Sequence, residues 1–231
     1  MNVSIIILNY NTKELTFECI QSVYDHTLKH EFEVIVIDNA STDGSRQMLS
    51  KLKYKNYQYI YNNANKGFSR ANNIASKFAT GKRLFFLNSD IVFINDVAFN
   101  LVEYMDENPS AGIVGPKFLN QDGTHQVSYR NFPNILLGLW HFFPFLKSFL
   151  SNEAVEYYQN KLDYEKKQAV DTVSAGALMI SKQLFEQIGQ FDEFSFMYAE
   201  DADICRKVRD LDLDVIYYPK ARLIHYGGQS T

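Results

Sequence analysis

The first half of the chain alternates short apolar runs, rich in Val and Ile, with longer stretches in which apolar residues recur every three or four positions. The short runs lie at about residues 3–8, 33–37, 57–61 and 83–87. The longer stretches lie at about residues 12–28, 45–52, 68–79 and 96–108. This alternation predicts βαβ units, and therefore a mostly parallel, Rossmann-like sheet flanked by helices.

The second half has a different pattern. Strand-like runs at about residues 112–118 and 126–130 flank the turn Asn120-Gln121-Asp122-Gly123, which favours an antiparallel connection. Further strands are predicted at about 170–180 and 214–218, with a helix between them at about 199–211. We therefore expect an α/β fold whose parallel sheet continues into a mixed or antiparallel half.

Charge and cysteine content narrow the classes of function. The formal net charge of −4 argues against nucleic acid as a partner, because binding to a phosphate backbone relies on clustered Lys and Arg. The two cysteines, Cys19 and Cys205, are far apart and indicate neither a disulfide framework nor a zinc site. No basic segment precedes the first apolar run, so a secretory signal is not indicated and a cytoplasmic location is predicted.

Polar residues stand where three of the predicted parallel strands end, which is where ligands bind in open α/β sheets. They are Asn9 and Tyr10, Asp38, and the pair Asn88 and Asp90. Asp38 can accept hydrogen bonds from a base or ribose, and Tyr10 offers a face for stacking. Asn and Asp are also common turn and cap residues, so each position taken alone fits a structural role about equally well.

The start of the third predicted helix is a second candidate for ligand binding. Asn65, Gly67, Arg70 and Asn73 place amides, a flexible backbone and a cation where an anion or a nucleotide edge can bind. The alternative is a capped surface helix. No Gly-x-Gly-x-x-Gly fingerprint follows the first strand, which favours a mononucleotide over a dinucleotide.

Carboxylates carry the catalytic prediction. Asp90 suits Mg²⁺ or Mn²⁺, which proteins commonly hold with one or two carboxylates together with substrate phosphate oxygens. Glu200 and Asp201 lie in the first turn of a predicted helix, behind an aromatic stretch at 191–198 that can wall off a pocket around a general base. Simple acidic charge at a helix start is the alternative. His225 alone is usually a structural residue, although imidazole also suits Mn²⁺.

Six motifs together resemble glycosyltransferase family 2, and look most like its rhamnosyltransferase-type branch. They follow one another in the family's order over nearly the whole chain. They are Val3 to Asn11, Val34 to Ser45, Asn65-Lys66-Gly67-Phe68, Leu87-Asn88-Ser89-Asp90, Gly189 to Glu193 and Tyr198 to Cys205.

The resemblance implies a GT-A fold, a nucleotide-diphosphate sugar donor, a divalent cation (Mn²⁺ or Mg²⁺) and an inverting single displacement. It places Asp201 as the base, Asp38 at the nucleoside and Asp90 at the metal, with His225 as a late metal or diphosphate ligand. Asn88 stands where the stricter Asp-x-Asp form has its first Asp. The remaining predicted contacts are donor-side Asn9, Tyr10, Asn65, Gly67, Arg70 and Asn73, and pocket residues Arg130 and Glu200.

By the same resemblance, residues 1–231 are expected to form a single GT-A domain that lacks a C-terminal extension. Its nucleotide-sugar-binding half is 1–110 and its acceptor half 111–231. The expected reaction is transfer of L-rhamnose from dTDP-rhamnose to a glycan or lipid-linked acceptor in cell-surface polysaccharide biosynthesis. The rivals are a UDP-hexose or N-acetylhexosamine donor, and a nucleotide-sugar-binding protein with weak turnover.

Residues 132–150 form an unusually aromatic stretch. Two prolines, a histidine and a lysine interrupt it, so it is not expected to span a membrane. One interpretation is a helix packed on the core or on the neighbouring subunit of a homodimer. The other is an interfacial segment that brings the enzyme to a polyprenyl-linked acceptor at the inner face of the plasma membrane.

Overall fold

The computed structural model describes residues 2–29, 31–130, 132, 163–194 and 200–228. The strands in these ranges are β1 (Val3–Asn9), β2 (Phe32–Asp38), β3 (Tyr57–Tyr61), β4 (Arg83–Asn88), β5 (Ile91–Phe93), β6 (Ala111–Leu119), β7 (His125–Gln126), β8 (Tyr129–Arg130), β9 (Gln168–Ala169), β10 (Thr172–Val173), β11 (Ala177–Ser181) and β12 (Asp214–His225). The helices are α1 (Lys13–His26), α2 (Ser45–Leu49), α3 (Phe68–Ser76), α4 (Val97–Glu107), α5 (Lys182–Gln187) and α6 (Glu200–Arg209).

One sheet runs through both halves of the chain, in the order β3-β2-β1-β4-β11-β6-β12-β5. The first four of these strands are parallel, as the βαβ pattern predicts. β11 then pairs antiparallel with β4 and β6, and β12 runs parallel to β6 but antiparallel to β5. The predicted α/β fold with a mixed second half is therefore confirmed.

Helices cover both faces of the parallel strands. Successive residues of a strand point to opposite faces, so β1 sends Ile5 and Ile7 into one core with Ile20 of α1. Ile6, between them, belongs to the other core with Ala71 of α3. Burial on both sides explains why this strand is a continuous apolar run and not an alternating one.

Two predicted strands are each divided in the structure. The run predicted at 126–130 forms β7 and β8, which pair with different strands, β6 and β10. The run predicted at 170–180 forms β10 and β11, with a turn between them closed by the Ala177 N–H on the Ser174 carbonyl at 3.2 Å. An apolar run does not reveal which partner each part will pair with, because strand preference depends on tertiary context.

The last strand is longer than predicted. β12 does not end near residue 218 but continues to His225. Its register against β6 shifts between Tyr218 and Arg222, and this irregularity accommodates Pro219 inside the strand. The extension pairs His225 with Ile91 of β5. The sequence pattern predicted neither this short strand nor α5.

Helix ends differ slightly from the prediction, since α1, α2 and α3 end two or three residues earlier than expected. Within the described ranges, no helix is long and apolar enough to cross a membrane. The predictions for 132–150 lie outside the described residues, apart from Phe132. Its ring centroid lies 5.5 Å from the Arg206 guanidinium and 5.8 Å from that of Arg209, both on α6.

Candidate functional site

The candidate site lies where β1, β2 and β4 end side by side. In the parallel register Asn9 pairs with Asp38, and Asn88 pairs with Leu8, the residue before Asn9. Connections leave β1 toward β2 on one side, while β4 lies on the other, so this is the topological switch point of the sheet. The three strand-end motifs of the sequence are thus neighbours in space.

Asn9 is fully buried, and its amide is used inside the protein. The Oδ1 atom accepts hydrogen bonds from the hydroxyls of Thr12 (3.0 Å) and Thr16 (2.7 Å), and Nδ2 donates to Ser41 Oγ at 3.0 Å. Ser89 Oγ lies 2.7 Å from Thr12 Oγ1, which adds the turn after β4 to this network. Asn9 therefore holds three strand-end turns together.

Asp38 is also fully buried. Its Oδ1 accepts a hydrogen bond from the Ser41 backbone N–H at 2.9 Å, and its Oδ2 accepts one from the Tyr59 hydroxyl at 2.7 Å. Burial and the hydrogen bond to Asp38 raise the pKa of Tyr59, which keeps this phenol a donor. Ala40 takes a left-handed backbone conformation, with φ of 69°, inside the turn that Asp38 closes. The carboxylate shapes this turn.

Asn39 follows Asp38 at the end of β2 and was given no role of its own from the sequence, yet it organises the predicted donor loop. Its Nδ2 donates to Asn65 Oδ1 (2.7 Å) and to the Gly67 carbonyl (3.2 Å), and its Oδ1 accepts from Asn62 Nδ2 (3.0 Å). Gly67 has φ of 79°, a conformation that favours glycine. Asn65 and Gly67 thus lie beside the end of β2. Tyr10, after β1, is half-buried.

Two residues predicted to contact the donor, Arg70 and Asn73, contact the segment that leads to α6. Asn73 exchanges hydrogen bonds with the backbone of Phe191, at 2.9 Å to its carbonyl and 3.2 Å from its N–H. The same amide donates to Glu193 Oε1 at 3.0 Å, and Arg70 Nε lies 3.7 Å from Glu193 Oε2. The sequence correctly places Arg70 and Asn73 on α3, but only the fold shows that they contact residues 191–193.

Asp90 and His225 form the candidate metal centre. Asp90 is 1% exposed, and its buried Oδ1 accepts no hydrogen bond from the described residues. His225 Nε2 lies 3.4 Å from this oxygen, because the long β12 ends against β5. One carboxylate and one imidazole suit Mn²⁺, whose remaining ligands substrate phosphates and water can supply. Within the described ranges no third His, Cys, Asp or Glu joins the pair.

Asn88 lies at the end of β4 and its side chain is half-buried. Its backbone N–H donates to the Gly176 carbonyl at 2.8 Å. A Cβ at position 176 would lie 3.1 Å from Asn88 Nδ2 and 3.2 Å from Ser174 Oγ, so these side chains would have to shift by a few tenths of an ångström to make room for it. The turn between β10 and β11 therefore borders the amide that precedes Asp90.

The acidic residues of α6 differ in their surroundings. Asp203 forms an ion pair with Lys207, one helical turn later, at 2.7 Å. Asp201 is half-buried, and its Oδ1 accepts only the adjacent Ala202 N–H, at 2.8 Å, among described residues. Glu200 is half-buried beside it, and Arg130 on β8 is exposed. Asp203 thus has a cationic partner in Lys207, whereas Asp201 forms no ion pair with the described residues and is available to accept a proton.

The chain resembles bacterial rhamnosyltransferases along most of its length. It is 27% identical over 211 residues to "N-acetylglucosaminyl-diphospho-decaprenol L-rhamnosyltransferase" of Mycobacterium tuberculosis, covering 86% of this chain and 67% of the relative. It is 23% identical over 233 residues to "dTDP-rhamnosyl transferase RfbF" of Shigella flexneri, covering 100% of this chain and 71% of the relative. The chain thus spans about two thirds of these relatives.

Solved structures share the fold. A mannosyltransferase from Pyrobaculum calidifontis, in complex with GDP-Man and Mn²⁺, superposes with a TM-score of 0.70 at 19% identity. The match covers 99% of this chain and 57% of that structure. The family model described as "Glycosyl transferase family 2" matches residues 4–189 of the chain. The chain belongs to glycosyltransferase family 2 and has the GT-A fold that its motifs predicted.

Proposed function

We propose that this protein is an inverting, metal-dependent glycosyltransferase that transfers L-rhamnose from dTDP-rhamnose. The observation that carries the proposal is the pair of Asp90 Oδ1 and His225 Nε2, 3.4 Å apart at the switch point of the sheet. A buried carboxylate oxygen without a hydrogen bond from the described residues is costly unless a cation or proton meets it. Asp90 and His225 would hold a divalent cation here, and its positive charge would remove that cost.

The donor nucleotide binds, in this proposal, across the ends of β1, β2 and β4. Tyr10 and the turn after Asp38 face the nucleoside, and the amides at Asn65 and Asn88 face the ribose or diphosphate. Asn9 and Asp38 act by holding these turns, because their polar atoms already bond within the protein. When bound, the divalent cation neutralises the charge that develops on the leaving diphosphate.

The acceptor hydroxyl attacks the anomeric carbon as the bond to the diphosphate oxygen breaks. Its proton passes to Asp201, and the nucleoside diphosphate leaves with the electron pair of the broken bond. Attack from the side opposite the leaving group inverts the anomeric configuration. A carboxylate that accepts only one hydrogen bond from the described residues keeps lone pairs for this task, which supports Asp201 over the ion-paired Asp203.

The names of both relatives support a rhamnosyl donor, and the decaprenol in the name of the first supports a polyprenyl-linked acceptor. Such an acceptor is used at the membrane surface, so we place the enzyme at the inner face of the plasma membrane, within polysaccharide biosynthesis. Peripheral contact through 132–150 and a homodimer stay predictions. A single domain over 1–231 also stays a prediction, which the sheet supports because it joins both halves.

Thermal unfolding in the presence of nucleotide sugars tests the proposal. A ligand that binds the native state raises the apparent Tm, so dTDP-rhamnose with Mn²⁺ is expected to give a larger rise than UDP- or GDP-sugars. Release of dTDP with a polyprenyl-diphosphate acceptor should follow the same order. A larger effect of a UDP-sugar would replace the donor assignment.

Variants of the Asp90–His225 pair test the proposed metal dependence. Asp90→Asn should abolish the part of the Tm rise that depends on Mn²⁺, whereas Asp25→Asn, an exposed residue of α1, should keep it. An unchanged Mn²⁺ effect in Asp90→Asn would remove the metal assignment. Binding of the donor without release of dTDP, with acceptor present, would favour a binding protein over an enzyme.

A further inference from the structure

His225 contacts Gln126 of β7 through the ring nitrogen that does not face Asp90. Its Nδ1 lies 2.7 Å from Gln126 Oε1, while its Nε2 faces Asp90 Oδ1. A neutral imidazole carries one proton, and the nitrogen that holds it cannot bind a metal. Which nitrogen is protonated therefore decides whether His225 can be a ligand.

The amide of Gln126 can take only one orientation in its hydrogen-bond network. Its Nε2 donates to the His225 backbone carbonyl at 3.4 Å and to Asn120 Oδ1 at 3.1 Å. A carbonyl oxygen can only accept, so the nitrogen must face these two groups and Oε1 must face the imidazole. An acceptor at that position requires a proton on His225 Nδ1.

The amide of Asn120 is oriented in the same way by the hairpin turn before β7. Its Nδ2 donates to Thr124 Oγ1 at 2.9 Å and to the His125 carbonyl at 3.5 Å. The Thr124 hydroxyl donates its single hydrogen to Asp122 Oδ1, at 2.6 Å, so its oxygen must accept from Asn120. The Thr124 side-chain hydrogen bond lowers the pKa of Asp122, which keeps that carboxylate an acceptor.

We propose that Asp122, Thr124, Asn120 and Gln126 form a directional relay that holds His225 as its Nδ1–H tautomer. The relay starts at an ionised carboxylate and ends with the Nε2 lone pair directed at Asp90. Gln126 is thus a positioning residue for a metal ligand, as partners of the distal nitrogen are in other metal sites. The metal-binding part of this inference rests on the proposed function, whereas the tautomer does not.

The relay matters because the competing tautomer has an attractive partner. Without the Gln126 acceptor, the best nearby acceptor for an imidazole N–H is Asp90 Oδ1, 3.4 Å from Nε2. That arrangement places a proton between the two metal ligands. Holding the proton on Nδ1 keeps the space between Asp90 and His225 free for a cation.

The tautomer can be measured in the metal-free protein. Long-range ¹H–¹⁵N correlation spectra at about pH 8, where an ordinary histidine is neutral, distinguish the two tautomers. The chain has five histidines, and His225→Gln identifies the resonances of His225. We expect Nδ1–H in the wild type, Nε2–H in Gln126→Ala, and the wild-type tautomer in Gln121→Ala, an exposed glutamine of the same turn. An Nε2–H wild type, or a Gln126→Ala spectrum like the wild type, would overturn the relay.

Binding of Mn²⁺ in the presence of dTDP, followed by the electron paramagnetic resonance signal of free Mn²⁺, gives a second readout. Loss of such a distal partner weakens metal binding by roughly 10–100-fold, which we expect for Gln126→Ala. Gln126→Glu keeps an acceptor at His225 Nδ1 and should therefore bind Mn²⁺ more tightly than Gln126→Ala, although its second oxygen faces the Asn120 amide oxygen and the His225 carbonyl. Equal weakening in the two variants would overturn the positioning role.

The two readouts separate this inference from the proposed function. If the wild-type protein binds no Mn²⁺ with dTDP but shows the Nδ1–H tautomer that Gln126→Ala loses, metal dependence fails and the relay stands. If Mn²⁺ binding requires Asp90 and His225 but the tautomer does not depend on Gln126, metal dependence stands and the relay fails. Thermal unfolding of each variant confirms that it is folded.

Discussion

The proposed donor side and the proposed acceptor side of the candidate site differ in what their polar side chains bind. At the ends of β1 and β2, the buried polar atoms of Asn9 and Asp38 are bonded to neighbouring turns. On α6, Asp201 accepts only the N–H of the next residue among described residues. The donor side is built before a ligand arrives, whereas the acceptor side keeps its carboxylate available.

This difference separates two roles that residue type alone cannot distinguish. An Asn or Asp after a strand can hold a turn or contact a ligand, and both roles use the same hydrogen-bonding groups. Buried polar atoms that already have partners contribute stability, so replacing them should lower the free energy of unfolding. Replacing a half-buried carboxylate that has free lone pairs should instead lower the catalytic rate. Substitutions on the two sides should therefore change different measured quantities.

The largest expected effect is on the acceptor side. Asp201→Asn removes the proposed base while keeping the shape of the side chain, so kcat should fall about 10²–10⁴-fold with little change in Tm. Steady-state release of nucleoside diphosphate measures this. Asp210→Asn, an exposed substitution just after the same helix, is the matched control. A large loss of stability in Asp201→Asn would place this residue with the structural group and erase the contrast.

On the donor side, Asn9→Ala should mainly destabilise the fold. It leaves the buried hydroxyls of Thr12 and Thr16 without their acceptor, which costs about 1–3 kcal/mol of unfolding free energy. Urea titration measures this loss. The affinity of the folded protein for the donor should fall less than it would if Asn9 contacted the donor directly. Unchanged stability with lost donor binding would show that Asn9 touches the donor.

Asn73→Ala tests a residue that joins the two sides. The variant loses the hydrogen bonds to Phe191 and Glu193, at a cost of about 1–2 kcal/mol. Because residues 191–193 lead toward α6, we expect a lower kcat and a higher KM for the acceptor with an unchanged KM for the donor. A selective rise in the donor KM would return Asn73 to the donor side, as the sequence motif suggested.

The smallest expected effect comes from Glu33, at the opposite end of β2, which calibrates a carboxylate with a structural role. Burial opposes its ionisation, but hydrogen bonds from Ser4, Thr80 and Gly81 outweigh burial and lower its pKa. A lowered pKa in the folded state gives stability that is present above the ordinary pKa of Glu and is lost as pH falls through the lowered value. Glu33→Gln should therefore cost about 1 kcal/mol at neutral pH, and less at acidic pH. A cost independent of pH, in urea titrations, would contradict this.

The parallel half was predictable because its signals are local. Apolar runs and helical periods mark β1 to β4 and α1 to α4, and the strand ends place Asn9, Asp38 and Asn88 at one edge. The second half was predicted less well, since short strands such as β8 and β10 are defined by the partner they find and not by their own residues. The pairing of β12 with β5 is equally non-local.

The sequence by itself determined the class of fold, the family, and the residue types available for a diphosphate, a cation and a proton. Tertiary structure decided their roles. Asp90 and His225 are 135 positions apart, and only the continuation of β12 past Pro219 brings their side chains within 3.4 Å. Gln126 carried no signal of its own, because its amide acquires a direction only from the Asn120 turn on one side and His225 on the other. Hydrogen-bond direction is a property of a network, and a network exists only once the chain is folded.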